Sequence, residues 1–78
     1  MAIIMETITD NELKEFCKWY IKRFKKDVSA ESTVVTCMCG YFHTYTRMAL
    51  LLLKRCKTLK YVYMDKGVVT FNEASWMG

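Results

Sequence analysis

Residues 60–71 read KYVYMDKGVVTF, and Asp65-Lys66-Gly67 at the centre decides the fold. Short β-branched and aromatic runs flank this tripeptide, the composition of two strands. Gly67 supplies the positive φ that a tight hairpin turn needs. The pattern predicts a β-hairpin over 60–71. In its first strand Tyr61 and Tyr63 share one face and Val62 and Met64 the other, because successive side chains alternate.

A helix is predicted directly before the hairpin, over 45–58, with Thr44 placed as its N-cap. Ala49, Leu52, Leu53 and Cys56 recur at helical spacing and make a buried stripe. His43, Arg47, Leu50, Lys54 and Lys57 make a second stripe, roughly opposite, which is basic apart from Leu50. Farther back, 28–40 is ambiguous. Ser29 as N-cap, Glu31 in a first turn and Gly40 at the C-terminal end argue for a helix. The β-branched run Thr33-Val34-Val35-Thr36 suits a strand. We read a short helix over 30–39, with a strand as the alternative.

The N-terminal helix has the strongest local signal. Thr9-Asp10-Asn11-Glu12 is a capping box, and Ile8 and Leu13 occupy the two positions of a hydrophobic staple around it. Leu13, Phe16, Cys17, Tyr20 and Phe24 form one apolar stripe. Lysines and Arg23 crowd the last turns, where they complement the helix dipole. This helix is predicted over 10–26.

Seventy-eight residues make one domain, 1–78, with a modest core. The apolar share of 53% excludes a disordered chain. No secretory signal is recognisable, and the longest apolar run, 48–53, is too short to span a bilayer. The expected location is cytoplasmic. The net charge of +4 is unevenly spread. No acidic residue occurs over 32–64, which holds Arg47, Lys54, Arg55, Lys57 and Lys60, and a second basic cluster lies at Lys18, Lys22, Arg23, Lys25 and Lys26. Such a bias favours a polyanionic partner or serves as a solvated face.

The order helix, short helix, glycine turn, helix, hairpin resembles a winged helix-turn-helix domain. The fold class is then α+β, mostly α: three helices followed by a β-hairpin wing. The resemblance covers roughly 28–71, with 33–39 as second helix, Gly40-Tyr41-Phe42-His43 as turn, 44–58 as recognition helix and 61–71 as wing. Family members place an apolar residue early in the recognition helix, with leucines four and seven residues later. Counting from Gly40 puts Thr46, Leu50 and Leu53 there; counting back from the hairpin puts Ala49, Leu53 and Cys56. We take the second register, which keeps the basic stripe outside.

The resemblance implies a sequence-specific binder of double-stranded DNA. The small size suggests a transcriptional regulator of a virus, plasmid or other mobile element. The major groove admits one α-helix that offers donors to phosphates and base edges. His43, Thr44, Thr46, Arg47, Lys54, Lys57, Lys60 and Lys66 are the candidate DNA-binding residues. Arg47, whose planar fork matches guanine, is the candidate base reader. Lys54, Lys57 and Lys60 are placed for phosphates, and Lys66 for a flanking groove. The alternative is a small protein-interaction module of the same fold, with Tyr41, Phe42, Tyr45, Met48, Tyr61 and Tyr63 lining a contact surface.

A homodimer is expected from the small core and from the apolar residues Ala2, Ile3, Ile4, Met5 and Trp76 near the ends. One histidine, no glycine-rich phosphate loop and no paired carboxylates argue against an enzyme, a cofactor or a small-molecule substrate. Cys37-Met38-Cys39-Gly40 looks like half of a zinc knuckle, but a second matching pair is missing. On a helix Cys37 and Cys39 would not share a face; on a strand they would. Buried thiols are the expectation for Cys17, Cys37, Cys39 and Cys56, with their pairing left open.

Overall fold

In a computed structural model, which describes residues 8–77 and the side chains of 8–76, helix α1 (Asp10–Phe24) starts at the expected capping box. The Thr9 hydroxyl accepts from the Glu12 amide at 3.1 Å, and the Glu12 carboxylate accepts from the Thr9 amide at 2.9 Å. Ile8 and Leu13 are both buried beneath this cap. The helix ends two residues before the predicted 26, because Lys25 turns left-handed (φ 56°) and its amide donates to Ile21 at 2.7 Å. Phe24, expected in the buried stripe, is partly exposed, although its ring lies 4.6 Å from that of buried Tyr20.

Strand β1 (Val28–Ala30) follows, then helix α2 (Glu31–Phe42). The ambiguous stretch is therefore a helix with a three-residue strand ahead of it. Tertiary burial overrides the β-branched propensity here. Val34, Val35 and Met38 sit at helical spacing and are all buried, and Thr36 returns its hydroxyl to the Ser32 carbonyl at 2.9 Å. Ser29 is not an N-cap; it is buried and accepts from the Tyr20 hydroxyl at 2.7 Å. Nor does Gly40 end the helix. His43 takes the left-handed position (φ 53°), and the Thr44 amide reaches back to Cys39 at 3.0 Å, as in a Schellman ending.

Helix α3 (Thr46–Thr58) starts one residue later than predicted, with Tyr45 rather than Thr44 at its N-cap and no side-chain cap bond. It buries Met48, Ala49, Leu52, Leu53 and Cys56. Of the two registers, the one counted from the hairpin is the one observed. The helix closes in a full Schellman motif: Lys60 is left-handed (φ 65°), its amide donates to Lys57 at 3.0 Å, and the Tyr61 amide donates to Cys56 at 2.9 Å.

Strands β2 (Val62–Asp65) and β3 (Val68–Phe71) form the hairpin, with Asp65 opposite Val68. The turn is thus Lys66-Gly67, and Asp65 belongs to the strand. Both turn residues have positive φ (49° and 77°), as a type I′ turn requires. Tyr61 precedes the strand; Tyr63 is exposed and Val62 buried. A single helical turn, α4 (Ala74–Met77), follows, and Trp76 packs edge-on against Tyr61 of the same chain at 6.1 Å. Residues Ala2, Ile3, Ile4 and Met5 lie outside the described residues.

The described chain is mostly helical, with four helices and one three-stranded antiparallel sheet of order β1-β3-β2. This arrangement is compatible with a winged helix. It differs from the expectation by the added β1 and the short α4. The inner sheet face presents Ser29, Val62, Val69 and Phe71 to a core built from Leu13, Phe16, Cys17, Tyr20, Val34, Met38, Leu52 and Leu53. Each large apolar side chain so buried contributes roughly 1.5–3 kcal/mol.

Candidate nucleic-acid interface

Because α3 turns one stripe to the core, its opposite stripe is left to solvent. Thr46, Arg47, Leu50, Lys54 and Lys57 are all exposed along it, and exposed His43 lies just before the helix. Among the described residues, the side chains of Arg47, Lys54 and Lys57 make no ion pair or hydrogen bond. Their donors are available to an external acceptor. Lys60 follows at the left-handed end of α3, and Lys66 occupies the hairpin tip; both are exposed.

Thr44 departs from this set. It is half-buried, and its hydroxyl oxygen is fully buried without a hydrogen-bond partner. It offers no donor to a groove. Arg55 is also withdrawn from the basic surface. Its Nε donates to Asp10 Oδ1 at 2.9 Å, its Nη1 donates to the Ile8 carbonyl at 2.7 Å, and its Nη2 also engages Asp10. The guanidinium therefore pins the start of α1 to the last turns of α3.

The hairpin tip is not free of the helices. The Glu31 amide, at the start of α2, donates to the Gly67 carbonyl at 2.8 Å. Gly67 so held lines, together with residues of α2 and α3, an open groove of about 540 Å³. Its walls are Glu31, Ser32, Val35, Thr36, Thr46, Leu50 and Gly67. Sequence reasoning found Thr46 and the hairpin tip but not Glu31, Ser32 and Thr36. Their contribution arises only when α2 lies across the face of α3. The Glu31 carboxylate is the one acidic side chain lining the groove. Such a group repels phosphate but accepts from the exocyclic amine of cytosine.

The four cysteines are free thiols. Cys17 and Cys56 are buried beside each other, and a hydrogen bond to Cys56, followed by burial, pushes the Cys17 thiol far up. Burial also raises Cys37, partly offset by the Arg23 charge. Cys37 and Cys39 lie on α2, so the strand geometry that would align their sulfurs does not arise. Among the described residues no three His, Cys, Asp or Glu side chains gather as a metal site, and no helix is long and apolar enough to cross a membrane. No family model, curated protein sequence or solved structure matches the chain.

Proposed function

We propose that the chain is a winged-helix protein that binds double-stranded DNA, with α3 in the major groove and the β2–β3 hairpin as the wing. One observation carries the reading: α3 presents Thr46, Arg47, Lys54 and Lys57, exposed and unpaired among the described residues, beside a hairpin whose tip is Lys66. Lys54, Lys57, Lys60 and Lys66 bind backbone phosphates and set the register, while Arg47 reads a base edge. The sheet order supports the same reading, because β1 seats the hairpin against α2 instead of leaving it as an isolated ribbon. The protein acts by occupying its site, as a transcriptional regulator, and a dimer of it would space two half-sites.

Fluorescence anisotropy with a labelled duplex tests this. Four phosphate contacts give a slope of log affinity against log salt of roughly −3.6. Arg47→Ala with Lys54→Ala should abolish retardation in a gel shift and leave the melting temperature unchanged. Undetectable binding to any duplex at low salt defeats the proposal, and an unaltered shift by the double variant removes α3 as the reader.

A second reading assigns α3 to a protein partner. Its support is that Leu50 and Leu51 are both exposed, at 43% and 44%, in the middle of the helix. Leu50→Glu separates the two. It abolishes binding to a protein partner by placing a charge in an apolar contact, and it weakens duplex binding by repulsion alone, an effect that salt relieves.

A further inference from the structure

The C-terminal half of α1 carries a surface that the α3 interface does not use. Trp19 and Phe24 of α1, and Tyr41 of α2 beside them, are each 37% exposed there. Trp19 meets Phe24 at 6.1 Å and 85°, and Tyr41 at 5.1 Å and 53°. Buried Phe16 and Tyr20 lie behind them, with ring centroids 5.8 and 6.5 Å from Trp19. These exposed rings are therefore backed by the core and held at fixed angles. A cleft of about 390 Å³ opens between Trp19, Lys22 and Arg23, and the Arg23 guanidinium lies 5.4 Å from the centre of the Phe24 ring.

The polar side-chain groups of the residues lining this cleft are all donors. The indole N–H of Trp19, the ammonium of Lys22 and the guanidinium of Arg23 have no hydrogen-bond or ion-pair partner among the described residues. Glu15, one turn before Trp19, is already engaged by Lys18 at 3.5 Å. An apolar cleft rimmed only by cationic and neutral donors is complementary to an apolar side chain flanked by carboxylates.

We propose that this surface docks an acidic amphipathic segment of a partner protein. An apolar side chain of the segment fills the cleft beside Trp19, and its acidic residues meet Lys22 and Arg23. Charge selects this occupant over a second copy of the chain. A two-fold contact through this patch would bring two sets of Lys22 and Arg23 into one interface whose lining holds no carboxylate to offset them. Ring geometry selects it over single-stranded nucleic acid, since Phe24 and Tyr41 meet Trp19 at 85° and 53° and do not lie with it as a flat stacking platform. The cleft shares no lining residue with the groove beside α3, so both surfaces can be occupied together. The inference does not rest on the DNA reading.

The test uses the full chain carrying Trp76→Phe, which leaves Trp19 as the sole indole reporter. The probe is a fluorescein-labelled, 16-residue designed helix with Leu and Phe on one face and Asp and Glu on the other. We expect saturable binding, a change in Trp19 emission, affinity that falls as salt rises, and at least a tenfold loss in Lys22→Glu with Arg23→Glu. The circular dichroism of that variant should match its parent. Three results overturn the proposal: no saturable binding; unchanged affinity in the charge-reversed variant; or equal affinity for a scrambled peptide of the same composition. Tight binding of oligo-dT at this patch, with none of the peptide, overturns it in favour of nucleic acid.

Discussion

Replacing Tyr20 with Phe removes one oxygen atom and should destabilise the domain by about 2 kcal/mol. The Tyr20 hydroxyl is fully buried and donates at 2.7 Å to Ser29, itself only 6% exposed. Deleting the donor leaves the Ser29 hydroxyl in the core with no replacement. A buried group orphaned in this way costs roughly 1–3 kcal/mol, more than the net worth of the bond itself. Ser29→Ala should cost a similar amount, since it strands the phenol instead. Removing both partners leaves neither group orphaned, so the double variant should lose at least about 1 kcal/mol less than the sum of the singles. For a domain of this size, each kcal/mol lowers the melting temperature by about 4–8 °C. Urea and thermal melts of the four proteins complete the cycle. Strict additivity would show that the two hydroxyls do not form a coupled buried pair. The consequence extends beyond stability, because this bond joins α1 to β1, the strand that seats the hairpin.

Four more outcomes follow from particular residues. Lys60→Gly should raise stability by roughly 0.5–1 kcal/mol, because Lys60 sits at φ 65° where glycine is relaxed, while weakening duplex binding by losing one phosphate contact; a lower melting temperature would contradict this. Thr44→Val removes a buried hydroxyl that has no partner and keeps the shape, so it should stabilise by about 1 kcal/mol and leave duplex affinity unchanged. Stability should fall as pH rises above the ordinary thiol value of 9.0, by up to about 1.4 kcal/mol per pH unit for one thiol. The unfolded chain releases the Cys17 proton there while the folded core retains it; below that value both states hold it and no loss occurs. In the same protein Ellman's reagent should modify Cys37 and Cys39 first and reach Cys17 and Cys56 only on unfolding, and four equal rates would refute the buried pair.

What the sequence revealed depended on the distance over which each feature is determined. The start of α1 was readable because Thr9 and Glu12 cap each other within one turn. The basic stripe of α3 was readable because helical period alone separates Ala49 and Leu53 from Arg47 and Lys54. Strand β1 was not. Val28-Ser29-Ala30 has no strand signal of its own, and its partner Val68-Val69-Thr70 lies about forty positions later. The end of α2 was misplaced for a different reason. Glycine is the usual left-handed residue, but His43 adopts that conformation once the amide of Thr44 closes onto Cys39. The withdrawal of Arg55 from the basic surface and the entry of Glu31 into the groove are both tertiary effects. Neither leaves a mark on local spacing.

The β1–β3 pairing also has a kinetic meaning. Val28 pairs with Thr70, so the sheet closes a loop that contains both α2 and α3. Closing a loop of that length costs entropy before any ladder bond compensates for it. The helices are local and can form early, whereas the three-stranded sheet is expected to assemble in the final step of folding. On a ribosome, β1 emerges long before its partner and cannot complete its ladder until β3 has left the exit tunnel. Until then the inner faces of α1, α2 and α3 lack their cover of Val69 and Phe71. The order of synthesis thus delays the native domain until the hairpin is complete.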